Sequence, residues 1–198
     1  MIAIVDYKAG NLTSVKNAFA ALGVETVVTD DPKVVAAADR VVFPGVGAAK
    51  SAMENLKSLA LADAVRAAAT DGRPFLGICL GMQILFERTE EDGGVDCLGL
   101  LGGKVVRFPD VKGFKVPEIG WNDVEPVGGT MPGVAERREY YFVHSYCAQI
   151  VPETCGVSEY AGVKFTAMAR KGRFWACQFH PEKSGRVGLD LLKEWLSC

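Results

Sequence analysis

Residues 73–83 read Arg73-Pro74-Phe75-Leu76-Gly77-Ile78-Cys79-Leu80-Gly81-Met82-Gln83, and this stretch decides the fold. The apolar run up to Leu76 reads as a buried strand, and residues 82–88 read as a helix. Glycines stand two residues to either side of Cys79, as a sharp strand-to-helix turn requires, because bulky neighbours would not fit there. Such an elbow leaves the thiol proud of the sheet edge, at the start of the following helix. Unpaired backbone N–H groups at that point favour a thiolate and would also hold an oxyanion. A buried structural cysteine beside two loop glycines is the competing reading; the strand–turn–helix context favours the nucleophile.

Working outward, residues 2–5 form a four-residue apolar run ending at Asp6, and so a first buried strand. Asn11 can cap a helix through about residue 22, with Leu12, Val15, Phe19 and Leu22 on one face, and Gly23 ends it. Residues 25–28 and 41–43 read as further strands, the latter stopped by Pro44-Gly45-Val46-Gly47. Residues 48–69 are alanine-rich and helical with one break. Strands alternating with helices and carrying continuous apolar runs imply a parallel sheet covered on both faces. Ligands bind such sheets at the C-terminal strand edge, where the loops 6–10, 44–47 and the elbow meet.

The second half changes character. Residues 101–108, 115–116, 123–127, 139–143, 163–170 and 173–178 read as short strands punctuated by pairs such as Gly128-Gly129 and Lys171-Gly172. Residues 184–196 read as a closing amphipathic helix. No repeat or linker interrupts the 198 residues, so one domain spanning 1–198 is expected.

Composition narrows the functional classes. Hydrophobic residues make up 49% and charged residues 23% of the chain, and the net charge is −2. No Lys/Arg block suggests a nucleic-acid surface. No apolar run reaches membrane-spanning length, and the N-terminus lacks the pattern of a signal peptide, so a cytoplasmic protein is expected. The six cysteines form no C-x-x-C pair and have two histidines to help them, which argues against a metal site. Free thiols are expected.

A cysteine nucleophile needs a base, and the base an orienting group. His180 lies in Gln178-Phe179-His180-Pro181-Glu182 at the end of a strand. Residues two apart on extended backbone share a face, so Glu182 can sit beside the imidazole and fix its tautomer. A surface histidine beside a capping glutamate is the alternative. His144, in Phe142-Val143-His144-Ser145-Tyr146, has no carboxylate at that spacing and reads as a loop or supporting residue. Pro44-Gly45-Val46-Gly47 can bring backbone N–H donors to a substrate, although it is no phosphate loop.

Six segments then occur in a telling order: Ile4-Val5-Asp6-Tyr7 with Gly10-Asn11-Leu12; Pro44-Gly45-Val46-Gly47; the elbow through Gln83; Val116-Pro117 with Gly120-Trp121-Asn122; Tyr141-Phe142-Val143-His144-Ser145-Tyr146; and Gln178 to Ser184. Together they resemble the class I glutamine amidotransferases, and among them the glutaminase subunits of imidazole glycerol phosphate synthases, almost end to end. The resemblance implies a flavodoxin-like α/β fold: a mostly parallel sheet, helices on both faces, and added antiparallel strands in the C-terminal half. It implies a Cys79–His180–Glu182 triad that hydrolyses glutamine through a glutamyl thioester, without a metal or organic cofactor. Gly47 and its neighbouring backbone, with the Leu80 N–H, would form the oxyanion hole. Gln83, Glu91 (with Glu90 as the alternative) and the backbone of Ser145 and Tyr146 would hold the amino-acid end of the substrate. The implied partner is a (β/α)8-barrel cyclase forming a heterodimer, with Asn11, Ser14, Trp121, Tyr141 and Lys183 at the interface. Two positions depart from the family pattern: Lys8 where glycine is usual, and Glu118 where a histidine is common. Both are expected near the partner surface.

Overall fold

A computed structural model describes residues 1–127, 131–132 and 136–198. The Gly128-Gly129 pair lies outside the described residues. Thirteen strands are seen among them: β1 (Ile2–Val5), β2 (Thr26–Thr29), β3 (Arg40–Gly45), β4 (Phe75–Cys79), β5 (Phe86–Thr89), β6 (Val95–Asp96), β7 (Leu101–Arg107), β8 (Glu118–Pro126), β9 (Arg138–His144), β10 (Tyr146–Ala148), β11 (Thr154–Tyr160), β12 (Val163–Lys171) and β13 (Phe174–Cys177). The helices are α1 (Leu12–Ala21), α2 (Pro32–Ala37), α3 (Ala49–Ser58), α4 (Leu61–Thr70), α5 (Leu80–Gln83) and α6 (Gly185–Leu196).

The large sheet runs β2-β1-β3-β4-β13-β12-β11-β8-β9. Its first five strands are mutually parallel. From β13 onward every pairing is antiparallel. A second sheet, β10-β7-β5-β6, forms its own ladder and packs on the first, with Phe86, Leu101, Val105 and Ala148 in the same core layer as Ala3 and Val5. The alternation of side chains along β1 sorts the core: Ile2 and Ile4 join the layer that contains Val15, Phe19, Leu191 and Trp195, whereas Ala3 and Val5 join Val35, Leu56 and Val65. Helices α1 and α6 therefore cover one face and α2, α3 and α4 the other, as continuous apolar strands require. Asn11 caps α1 by accepting from the Ser14 N–H. The alanine-rich helix breaks once, at Ala60, whose φ is +54°. No helix among the described residues is long and apolar enough to cross a membrane, and all six cysteines are unpaired.

Several expectations are corrected. The helix expected over residues 82–88 stops at Gln83, and the chain turns into β5, whose ends Phe86 and Thr89 are buried while Glu87 and Arg88 are exposed. What makes the segment extended is its pairing with β7, Phe86 opposite Leu101 and Thr89 opposite Val105, with a register shift between Phe86 and Arg88 that breaks the usual alternation of buried and exposed side chains. Strand β3 does not stop at Pro44: Pro44 pairs with Ile78 and Gly45 with Cys79. Pairing with β1 ends at Val42, so Pro44 sits where β3 has a neighbour on one side only and its missing N–H is not needed. Residues 115–116 are not a strand; β8 begins at Glu118.

Candidate active site

The parallel register brings β3, β4 and β13 to one edge. Cys79 ends β4 with φ +53° and ψ −112°, a strained conformation for any residue with a Cβ. The turn closes because its neighbours lack side chains. A Cβ on Gly81 would run into the Phe43 carbonyl, and one on Gly77 would lie 2.7 Å from Leu85 Cδ1. Helix α5 has only four residues, so no long helix dipole stands behind the thiol.

His180 follows β13 and is fixed through its backbone. Its N–H donates to the Tyr141 carbonyl at 2.9 Å, and its carbonyl accepts from Ser184 Oγ at 2.6 Å. The ring Nδ1 lies 2.8 Å from Glu182 Oε1, and both side chains are almost wholly buried. The two-residue spacing read from the sequence thus produces the contact. Burial alone would push the imidazole pKa down. The Cys79 sulfur, by charge and hydrogen bond, and then Glu182 outweigh it and carry the pKa up to about 10. Carboxylate, imidazole and sulfur therefore stand in sequence, with the imidazolium favoured.

A cavity of about 300 Å³ opens over the thiol. Gly47, Cys79, Leu80, Gln83, Glu91, Ser145, Tyr146, His180 and Lys183 all line it; Glu182 stands behind His180. Gly47 adopts φ +99°, which suits glycine at this bend. Glu91 Oε2 accepts from the Ala49 N–H at 2.6 Å, tying this wall to the start of α3 just beyond Gly47. Burial pushes its carboxyl above the ordinary carboxylate range, against the pull of that N–H. Glu90 is exposed and accepts from the Arg107 N–H instead, so of the two acidic candidates Glu91 faces the cavity. Gln83 Nε2 donates to the Tyr146 carbonyl at 2.8 Å and to Gln178 Oε1 at 3.0 Å.

Gln178 was not among the expected site residues. It is fully buried, and its Nε2 lies 3.8 Å from Cys79 Sγ. Its place two residues before His180 on extended backbone was the signal that could have found it. The reading of His144 as a loop residue is corrected, while a supporting place is what it takes. It ends β9, is buried, and has a carboxylate beside it after all: Glu118, opposite it in the β8–β9 register. Glu118 therefore points into the core and not toward a partner surface. Lys8 is exposed at φ +63°, a position that suits glycine, and is held by Asp6 and Asp30.

The residues expected at an interface do not converge as tightly. Trp121 is 53% exposed and meets the Tyr141 ring edge-on at 6.1 Å. Lys183 lies at the cavity, and Asn11 and Ser14 sit at the start of α1.

Comparison with known proteins places the chain in a family. The family model for class I glutamine amidotransferases matches residues 3–196. The imidazole glycerol phosphate synthase subunit HisH of Dechloromonas aromatica is 47% identical, over 98% of this chain and 95% of that protein. The HisH subunit of Methanothermobacter thermautotrophicus is 44% identical, over 99% and 98%. A crystal structure of a glutamine amidotransferase superposes with a TM-score of 0.76 at 19% identity, covering 100% of this chain and 98% of its own. The chain belongs to the class I glutamine amidotransferases and, among them, to the HisH subunits of imidazole glycerol phosphate synthase.

Proposed function

We propose that this chain, as one amidotransferase domain, hydrolyses glutamine to glutamate and ammonia through Cys79, His180 and Glu182. The observation that carries the reading is the buried line of Glu182, His180 and Cys79 under a cavity of substrate size. Cys79 Sγ attacks the carboxamide carbon and the oxygen becomes an oxyanion, which the backbone at Gly47 and Leu80 stabilises. His180, charged at neutral pH, gives its proton to the departing nitrogen, and ammonia leaves. Neutral His180 then takes a proton from water as it attacks the glutamyl thioester, which releases glutamate and restores the thiolate–imidazolium pair. Glu182 holds the ring's tautomer and stabilises its charge. Glu91 receives the substrate ammonium, and Gln83 with the backbone of Ser145 and Tyr146 fixes the amino-acid end. None of these steps calls for a metal or organic cofactor.

Ammonia is mostly protonated near neutral pH and is then no nucleophile, so a protected passage to its acceptor suits this product. We assign the acceptor to a (β/α)8-barrel cyclase subunit in a cytoplasmic heterodimer, which makes imidazole glycerol phosphate and aminoimidazole carboxamide ribotide in histidine biosynthesis. The relatives are named as subunits of that synthase, and in this reading the exposed Trp121 docks on the cyclase together with Tyr141, Asn11, Ser14 and Lys183. Glutamate release is measured with and without the cyclase and its nucleotide ligand. Turnover that rises with the partner and vanishes in Cys79→Ala is expected; equal rates with and without the partner count against the assignment.

A further inference from the structure

Glu118 and His144 stand outside the triad, yet their side chains are only 4% and 2% exposed. His144 Nδ1 lies 2.8 Å from the Tyr146 carbonyl. A carbonyl only accepts, so Nδ1 carries a hydrogen. His144 Nε2 lies 2.9 Å from Glu118 Oε2, out of line for a straight hydrogen bond. Two bare lone pairs at that separation would repel, so a proton resides on one of the two atoms. Whether it sits on nitrogen or oxygen, the pair as a whole is neutral and buries no net charge. Glu118 Oε1 is held separately by Asn122 Nδ2 at 2.7 Å. The rings of Phe108, Phe142 and Phe165 surround the imidazole, with centroids 5.0, 5.5 and 5.2 Å away.

This clamp leads to the cavity. The Tyr146 carbonyl takes a second donor, Gln83 Nε2, which also reaches Gln178 and through it the sulfur of Cys79. The segment 143–146 lines the same cavity. We propose that the Glu118–His144 pair positions the glutamine-binding wall: it fixes His144 with its hydrogen on Nδ1, so that the Tyr146 carbonyl, Gln83 and the 143–146 backbone are held ready for the substrate's amino-acid end. The pair is a positioning device, acting through Tyr146 and Gln83. The proposal rests on the glutaminase reading and names residues that set its substrate affinity.

Two substitutions separate this role from plain core packing. Glu118→Gln keeps an acceptor for Asn122 and offers an N–H to His144 Nε2, so the tautomer survives. Glu118→Leu has similar bulk and supplies neither. In the full chain assayed with the cyclase, Glu118→Leu is expected to raise KM for glutamine about tenfold, with kcat within about threefold, while Glu118→Gln stays within about threefold in both. Glutamine titrated calorimetrically into Cys79→Ala backgrounds should show the same order of affinities. A wild-type measurement covers the case in which Glu118→Leu does not fold. The His144 Nδ1–H should give a slowly exchanging 15N-coupled resonance that shifts when glutamine is added. An unchanged KM in Glu118→Leu, a loss confined to kcat, or no such resonance overturns the positioning role. Wild-type protein that releases no glutamate would overturn the underlying glutaminase reading instead.

Discussion

The close approach of β3 to the elbow makes a quantitative test of the packing. Gly45 pairs with Cys79, and a Cβ placed on it would overlap the Tyr7 hydroxyl while lying 3.0 Å from Gly81 N and 3.1 Å from Leu80 Cβ. Tyr7 is fully buried, and its hydroxyl has no hydrogen-bond partner among the described residues. Burial and the nearby Cys79 drive its pKa far above the ordinary range, so it stays a neutral phenol. Overpacking of this kind costs about 1–3 kcal/mol, less roughly 0.4–1 kcal/mol recovered from the unfolded chain when glycine becomes alanine. We expect Gly45→Ala alone to destabilise by about 2 kcal/mol, because the hydroxyl is carried on a ring packed against Phe43 at 5.0 Å and cannot swing clear. Removing an unsatisfied buried hydroxyl is worth about 1 kcal/mol, so Tyr7→Phe alone should stabilise. With the hydroxyl gone, the new methyl meets only the two contacts near 3 Å, and the double variant should be more stable than the sum of the single changes by about 1–2 kcal/mol. Urea unfolding of all four proteins, with the slope m unchanged, reads this directly. Additivity within about 0.5 kcal/mol, or a destabilising Tyr7→Phe, would refute the packing argument.

Four further outcomes follow from the geometry. Against burial, which pulls it down, the Cys79 sulfur and Glu182 push the His180 pKa up to about 10, against about 6.5 unfolded. The stabilisation from His180 should be complete below about pH 6.5 and fade as pH rises toward 10, visible as a shrinking stability difference between wild type and His180→Gln. In Cys79→Ala the leading upward influence is gone, so NMR should place the His180 titration lower. Trp195 is fully buried, donates to the Phe75 carbonyl at 3.3 Å and meets Phe19 edge-on; Trp195→Ala should cost about 3–5 kcal/mol by denaturant titration. Trp121→Ala, by contrast, should change stability by no more than about 1 kcal/mol while weakening cyclase binding at least about tenfold by calorimetry.

What the sequence disclosed was local. The elbow depends on residues within four positions of Cys79, and the His180–Glu182 contact on a two-residue spacing, so both could be read directly. Helix α2 also had a local signal, Asp31 as cap with Pro32 at the first turn, but its six residues carry too little periodicity to announce it. Strand β11, with Cys155 and Gly156 at its start, lacks an apolar run and was missed. Its Gly156 allows the approach of Val124 and Met168, where a Cβ would lie 2.9 and 3.2 Å away. Most of the second sheet was invisible for a different reason, only β7 having been read as a strand, over 101–108. Residues 84–108 hold β5, β6 and β7 through pairings with one another and with β10, 39 to 43 residues on, and short apolar runs do not state whom they pair with.

The two histidine–carboxylate pairs make the same point about function. His180 and Glu182 are neighbours along the chain. His144 and Glu118 are 26 residues apart and meet because β8 and β9 pair in one register. A one-residue slip would turn Glu118 to the other face of the sheet and leave His144 buried with its Nε2 unmatched. Register at the far edge of the sheet is thus coupled to the wall of the cavity, whereas Cys79 stands on the parallel strands at its centre; His180 is tied to both, through β13 and through the Tyr141 carbonyl of β9. The two should fail separately. A charged or bulky change on β8 that shifts its pairing should raise KM for glutamine while Cys79 keeps its reactivity toward a small alkylating agent. Disturbing β13, which pairs Cys177 with Ile78 one residue before Cys79, should remove both together. Equal loss of thiol reactivity from the two perturbations would show that the sheet responds as one rigid unit and that the cavity wall has no independence from the triad.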